Sequence, residues 1–547
     1  MATHPRHGFR GAPPPPRFNL VSYCLGAVAR ERPDALALTV VRDLDAGDAG
    51  VQRFTFGQLD DAVRRVASGL RALGLSWTTT ASGDVVPPRV VLRLPTTSDY
   101  ALLLLGIMAA GYVALPASPM LTGTELAFVL DDAEASALVV DAGAEAELLA
   151  NLRDDGRWGE LRLITPEDIQ RFIRESSPGD YADTAADDPA LLIYTSGTTA
   201  QPKGVLHAQR VAWGRRPMLE GWYGGLGPDD TLLHTGAFNW TYTLGTGLLD
   251  PWSQGAAALI YTGASGTTGD LTVWPRLMER FGATVNASVP GLYRKLLRDV
   301  DLERYDLSRL RHGLVAGEAL PLSLLKAWRS TTGTELYEAL GMSECSTYIS
   351  SSPSTPTKPG SPGRAQRERC VAVLPLDPRD GDEPLDEPGA VGLLAVHRSD
   401  PGLMLGYWRR SEEEKAVFRG EWFVGGDLAA FASDAYLRYH GRADDVMTAL
   451  GYRVSPLEVE SCLEEHPAVA EVAVAEVPLR RDVRVIAAFV VPTEAREADA
   501  GALLLHAREH LAAYKCPREL IFVDALPRTA NGKVRRRELA QLAPDNK

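Results

Sequence analysis

Residues 190–204 read Ala190-Leu191-Leu192-Ile193-Tyr194-Thr195-Ser196-Gly197-Thr198-Thr199-Ala200-Gln201-Pro202-Lys203-Gly204. The first four make an apolar run of strand type, and the rest is a turn-forming string of hydroxyls, glycines and one lysine. Such a loop can surround phosphate oxygens, because Ser and Thr hydroxyls and Lys203 donate while glycines let backbone N–H groups come close. It is not a Walker A loop, since Lys203 lies between Pro202 and Gly204 where G-K-[ST] is required. On composition alone, an ordinary Ser/Thr/Gly connection remains open beside the phosphate reading.

Working outward, short apolar runs at 90–94, 137–140, 256–261 and 283–288 alternate with helical patterns, which predicts an α/β fold of layered, largely parallel strands. Thr55 with Gln58 forms a capping box, and Leu59, Val63, Val66, Leu70 and Leu73 then recur at helical spacing up to Gly74. Residues 101–115 read as a buried helix running into a strand, too short and too Gly-interrupted for a membrane span of roughly 20 residues. The stretch 374–388 is Pro-rich and acidic, hence loop, before a strand at 391–397. From residue 458 the pattern is helix (458–465), strand (468–477), strand (484–491), helix (500–513) and strand (519–523), a small α+β domain.

With 547 residues the chain exceeds what one core serves, so more than one domain is expected. A formal charge of -14 argues against a broad nucleic-acid or anionic-membrane surface, so any anion must sit in a local site. Cys24, Cys345, Cys370, Cys462 and Cys516 are scattered without C-x-x-C spacing and read as free thiols of a reducing cytoplasm. Residues 1–18, rich in Pro and Arg and lacking an apolar h-region, read as a mobile arm rather than a secretory signal.

The whole string from Tyr194 to Gly204 resembles the signature loop Y-T-S-G-T-T-x-x-P-K-G of the adenylate-forming superfamily, which comprises acyl-CoA synthetases, adenylation domains and luciferases. Further segments resemble that family in the expected order: Ala316-Gly317-Glu318, Leu340-Gly341-Met342-Ser343-Glu344, Gly426-Asp427-Leu428, Gly441-Arg442-Ala443-Asp444, Gly451-Tyr452-Arg453-Val454, and Leu526-Pro527-Arg528-Thr529 with Gly532-Lys533. The chain is most similar in feel to benzoate-type and medium-chain acyl-CoA ligases. The resemblance implies a large N-terminal domain of layered α/β subdomains with a β-rich part (19–441) and a small mobile C-terminal domain (442–547). It also implies ATP, Mg²⁺ and coenzyme A as the reaction's small molecules.

Residue by residue, the resemblance assigns Thr195, Ser196, Gly197, Thr198, Thr199 and Lys203 to the departing pyrophosphate. Ala316, Gly317 and Glu318, with Leu340, Gly341, Met342 and Ser343, go to the adenine, and Leu340 stands where many members have a stacking tyrosine. Glu344 is assigned to magnesium, Asp427 to the ribose hydroxyls, Arg442 to ribose and phosphate, and Asp444 to the hinge. Gly451 and Arg453 belong to the segment swung in for the thiol step, and Lys533 is the adenylation lysine, stabilising charge at the α-phosphate.

The acyl pocket is expected around Phe238, Trp240 and Tyr242. Phe238-Asn239-Trp240-Thr241 stands where amino-acid-activating members carry F-D-x-S, so an α-amino acid is not expected. The aromatic bulk favours an aryl or short-to-medium acyl carboxylate over a long chain. His207 and His234 read as polar wall residues rather than catalysts. The same motifs also fit an enzyme loading the phosphopantetheine of an acyl carrier protein. A silent nucleotide-binding protein would need a damaged Glu344, Asp427 or Lys533, and all three are present. Whether the chain is a monomer or a dimer is not legible in the sequence.

Overall fold

Six parallel strands, among them those expected near 256–261 and 283–288, run side by side in one sheet of the computed structural model, from Glu335–Met342 through His312–Ala316, Val285–Ser288, Thr231–His234 and Ala257–Tyr261 to Leu36–Val41. Antiparallel strands close both edges, Val51–Thr55 on one side and Ser346–Ser350 with Arg364–Ala365 on the other. The structure describes residues 8–79, 85–141, 143, 161–195, 202–263, 269–445, 447–449, 452–480, 483–493, 499–511, 513, 515–529 and 534–542.

A second sheet of seven strands is parallel from Pro189–Thr195 through Val113–Pro116, Arg89–Arg93 and Ala137–Val140 to Arg162–Ile164. Lys203–Ala208 and Gly406–Tyr407 add antiparallel to its other edge. The helix Phe56–Ala72 starts at the expected capping box, with Gln58 N donating to Thr55 Oγ1 at 3.2 Å, and buries Leu59, Val63, Val66 and Leu70. Against it packs Ser98–Ala109, whose residues are all buried except Asp99 in its first turn, as a helix apolar on nearly every side requires. Among the described residues no helix is long and apolar enough to cross a membrane.

The third sheet is antiparallel: Val371–Leu374, Gly392–His397, Trp422–Phe431, Phe418–Arg419 and Leu437–Arg442. Beyond it lies the smaller C-terminal domain, where Val469–Arg480, Val483–Pro492 and Glu519–Phe522 form a three-stranded sheet covered by the helices Pro456–Glu464 and Ala500–His510. These are the elements expected from the pattern after residue 458, with ends displaced by a few residues. The long helix stops at His510, short of the expected 513, because Leu511 turns to an extended conformation.

Residues 8–18, expected within a mobile arm, lie against the body. Phe9 N donates to Ser399 Oγ at 2.8 Å, Trp213 Nε1 to Ala12 O at 2.7 Å, and Arg17 bridges Ala185. These contacts are non-local backbone bonds that composition does not reveal, and residues 1–7 lie outside the described part.

The antiparallel sheet is tied to the first body by a wholly buried ion pair. Arg369 Nη1 reaches both Asp400 carboxylate oxygens at 2.8 Å, and Nη2 donates to Gly214 O at 2.7 Å. Removing one partner of such a pair strands the other charge. Asp400→Ala is therefore expected to cost about 3–5 kcal/mol, read as an earlier first unfolding transition in urea by circular dichroism. A shift within error would mean that the guanidinium finds other acceptors.

Candidate functional site

The expected motifs sit at the carboxyl ends of parallel strands or on loops that approach them, the position where open α/β sheets receive ligands. Thr195 closes its strand and pairs in register with Lys203, so the two face each other at the mouth of a hairpin. Ser196, Gly197, Thr198 and Thr199 lie outside the described residues. Lys203 Nζ pairs with the Glu413 carboxylate and stands 5.5 Å from the centre of the Tyr407 ring.

Tyr407 joins two motifs. It pairs with Val205 on the strand that Lys203 opens, and its hydroxyl donates to Glu344 Oε1 at 2.7 Å. Burial beside the Glu344 carboxylate pushes the Tyr407 phenol well above its ordinary range, so it stays a donor. Tyr407 thereby contacts both residues, Glu344 at its hydroxyl and Lys203 at its ring. Ser343 offers its carbonyl to His207 Nε2 at 2.8 Å. Burial lowers His207 to about 4, so the ring is a neutral donor there at physiological pH.

The strand carrying Leu340, Gly341 and Met342 bulges where it meets Ser346–Ser350. A Cβ on Gly341 would lie 2.3 Å from Ser346 O, so only glycine lets the two backbones approach. Leu340 joins the apolar cluster containing Tyr348 and Phe423, an aliphatic contact where the family commonly has a tyrosine. Met342 reaches across to the third sheet, its Sδ 2.9 Å from where a Cβ on Gly425 would stand. Asp427 follows two residues later, 5% exposed, accepting from the Tyr439 hydroxyl at 2.8 Å. Arg442 lies opposite in register, with Nη1 3.4 Å from Asp427 Oδ1 and 2.5 Å from Gly425 O.

Ala316 ends its strand, and Gly317 turns the chain at φ +96, a left-handed conformation natural to glycine. The Trp240 indole lies against this turn, 3.2 Å from where a Cβ on Gly317 would stand. Tyr242 meets Trp240 edge-on at 5.1 Å, stacks on Trp222 at 5.7 Å, and donates to Ser288 O at 3.3 Å. His234 stands edge-on to Tyr242 at 4.5 Å and accepts from Gly236 N at Nδ1, and burial lowers it to about 3. Phe238 is not brought to this turn. It is 1% exposed in the core cluster of Ser98–Ala109, against Tyr100 at 5.5 Å.

Glu318 does not point to a base. Its Oε1 accepts from Arg528 Nη1 at 2.8 Å, while Arg528 Nη2 reaches Glu471 Oε2 at 2.8 Å and Arg294 Nη1 reaches Glu471 Oε1 at 3.2 Å. This four-residue network spans both domains. Arg528 also bridges Val534 across the loop that contains Lys533, so its guanidinium tethers the mouth of that loop beside the Gly317 turn. Lys533 and Gly451 lie outside the described residues. Asp444 lies on the short turn Ala443–Asp445, and Arg453 on the strand Tyr452–Val454, paired with Met447–Ala449.

The sequence reading overlooked Glu338. It pairs in register with Val315, one residue before Ala316, between the buried Tyr337 and Ala339, where an acid is out of place. That mismatch was the available signal. Burial pushes its carboxyl up to about 8 against one backbone hydrogen bond from Leu320.

A parallel-sheet body with a hydroxyl-rich hairpin, a carboxylate and a glycine turn at its strand ends, and a small domain clamped over them, define the adenylate-forming enzyme fold. Residues 25–408 match the AMP-binding enzyme family, and residues 458–533 match the AMP-binding enzyme C-terminal domain. A 3-hydroxybenzoate–CoA/4-hydroxybenzoate–CoA ligase of Thauera aromatica is 30% identical over 89% of this chain and 92% of its own length. A mitochondrial acyl-coenzyme A synthetase of Homo sapiens is 32% identical over 89% of this chain and 84% of its own. The crystal structure of the anthranilate CoA ligase AuaEII in complex with anthranoyl-AMP superposes with a TM-score of 0.84 at 27% identity, covering 96% of this chain and 98% of that one. The chain belongs to the AMP-binding enzyme family.

Glu338 gives the site a pH signature. Its carboxyl is protonated in the folded chain up to about 8 against an ordinary 4.5, so between those values the folded state holds a proton that the unfolded state has lost. Stability should therefore fall as pH rises from about 4.5 to about 8. Glu338→Gln, which keeps the shape without the proton, should flatten that part of the urea-midpoint profile. An unchanged profile would place the titration elsewhere.

Proposed function

We propose that this AMP-binding enzyme is an acid–thiol ligase: it joins a carboxylate to AMP from ATP, releases pyrophosphate, and passes the acyl group to coenzyme A. The observation that carries the reading is the shared Tyr407 contact, which brings the Lys203 ammonium to its ring and the Glu344 carboxylate to its hydroxyl at the mouth of the phosphate hairpin. Lys203, with Thr195 and the hydroxyls at 196–199, would hold the pyrophosphate as it departs, and Glu413 would be displaced from the lysine when phosphate arrives. Glu344 is a hard oxygen donor suited to Mg²⁺, which when bound would neutralise phosphate charge. Asp427 would accept from both ribose hydroxyls, with Tyr439 and Arg442 keeping it oriented. Glu338, protonated at neutral pH, could donate to a ring nitrogen of the base at the Gly317 turn.

Lys533, on the loop whose mouth Arg528 tethers to Glu318, would meet the carboxylate and α-phosphate as charge builds. We place the domain boundary at residues 441/442 and the pivot at Asp444. Rotation there would withdraw Lys533 and carry Gly451 and Arg453 toward the acyl-AMP, opening a path for the thiol. An acyl carrier protein is the second acceptor that this geometry admits. Trp240 and Tyr242 at the Gly317 turn limit the acyl pocket, which favours an aryl or medium-chain acid, in keeping with relatives named for hydroxybenzoates. We assign the enzyme to the cytoplasm.

Two measurements test this reading. In a panel of acids scored by pyrophosphate release with and without coenzyme A, benzoate-sized or medium-chain acids should lead, and dominance by palmitate-length acids or amino acids would overturn the pocket assignment. Lys533→Ala should lower acyl-AMP formation by about 10²–10³-fold, as for loss of a preorganised donor, while thioester formation from supplied acyl-AMP and coenzyme A persists. Arg528→Ala should lower the same first half-reaction by less, since it acts only by placing the loop. Equal loss in both half-reactions would remove the division of labour.

A further inference from the structure

Away from the phosphate hairpin, the C-terminal domain gathers three metal-ligating side chains that the ligase chemistry does not use. Cys462 lies near the end of the helix Pro456–Glu464, while His506 and His510 stand one turn apart on Ala500–His510. Each offers one ligand atom, and the three atoms all lie within 4.8 Å of one another. The helices hold them in place: His506 Nε2 bonds the Cys462 carbonyl at 3.0 Å, and His510 Nδ1 bonds the His506 carbonyl at 2.8 Å. The two imidazoles lie 4.3 Å apart at 35°. One nitrogen of each ring is left over from these bonds, and Cys462 is in no disulfide.

We propose that Cys462, His506 and His510 form a zinc site that clamps the two helices of the C-terminal domain together. One thiolate and two imidazoles suit a borderline-soft ion such as Zn²⁺ or Co²⁺ and are poor ligands for Mg²⁺, so the site does not compete with the carboxylate chemistry at Glu344. Zn–S and Zn–N bonds of about 2.3 and 2.0–2.1 Å put tetrahedral donor atoms roughly 3.3–3.6 Å apart. Closing from 4.8 Å thus takes about an ångström of side-chain rotation, open to an exposed His510 and a partly exposed His506. On binding, Cys462 gives its thiol proton to solvent, and a water fills the fourth position. Because Cys462 comes from one helix and His506 and His510 from another, at separated places in the chain, the ion would cross-link them.

The test is a Co²⁺ titration of the full-length, chelator-treated enzyme. The site predicts one equivalent bound, with thiolate-to-cobalt charge transfer in the near ultraviolet and tetrahedral ligand-field bands in the visible, both abolished by one equivalent of Zn²⁺. Cys462→Ser should lose the charge-transfer band. The double variant His506→Gln/His510→Gln, whose changes fall on the domain surface, should lose the ligand-field bands while keeping the metal-free thermal midpoint of the wild type. Zn²⁺ should raise the thermal midpoint of the wild type and leave that of the double variant unmoved. Absence of the bands, or bands that persist in the double variant, would overturn the proposal. Should Cys462→Ser fail to fold, the double variant alone decides.

Discussion

A single tyrosine contacts both a cation and an anion at the centre of this enzyme. Tyr407 lies under the Lys203 ammonium and donates to Glu344, and it can do so only because its short strand pairs with the one that Lys203 opens. Polyphosphate needs donors in front of it and a carboxylate free to engage a counter-ion beside it. Lys203 is held by the Glu413 carboxylate and Glu344 by the Tyr407 hydroxyl, so each charge has its own partner. The second sheet supplies the lysine and the tyrosine, and the first supplies the glutamate.

The remaining geometry hangs from that placement. The strand that ends at Met342 presses its thioether toward Gly425, which fixes Asp427 and Arg442 of the third sheet relative to Glu344. The buried Arg369–Asp400 pair ties the same sheet to the Gly214 turn. On the opposite side, Glu318 is engaged by Arg528, so the Gly317 turn also anchors the small domain. Arg528 shares its charge between Glu318 and Glu471, and Arg294 balances the second acid, giving a network partly shielded from water.

Much of the fold was legible because its signals are local. The Thr55–Gln58 capping box, the largely apolar helix Ser98–Ala109 and the strands of the C-terminal domain follow from spacing within a few residues. The phosphate hairpin was legible because its string is long and specific. What escaped depends on partners far apart in the chain. Phe238 reads from sequence like Trp240 and Tyr242, yet it packs into the neighbouring core against Tyr100, a partner 138 residues away. Glu318 was expected at the adenine turn, and its turn is there, but its carboxylate answers a guanidinium 210 residues away. Cys462 showed no C-x-x-C neighbour, and its histidines become neighbours only when the helices pack. Ser196 to Thr199, Gly451 and Lys533 fall outside the described residues, so their roles rest on resemblance and on the flanking residues that hold the loops.

The central claim is that a carboxylate oxygen attacks the α-phosphorus of ATP at this site. Supplying the preferred acid with ¹⁸O in its carboxylate and analysing the nucleotide product by mass spectrometry tests it directly. The account predicts that AMP gains one ¹⁸O per turnover while pyrophosphate stays unlabelled. Label appearing in orthophosphate, or ADP as the nucleotide product, would contradict an acyl-AMP intermediate.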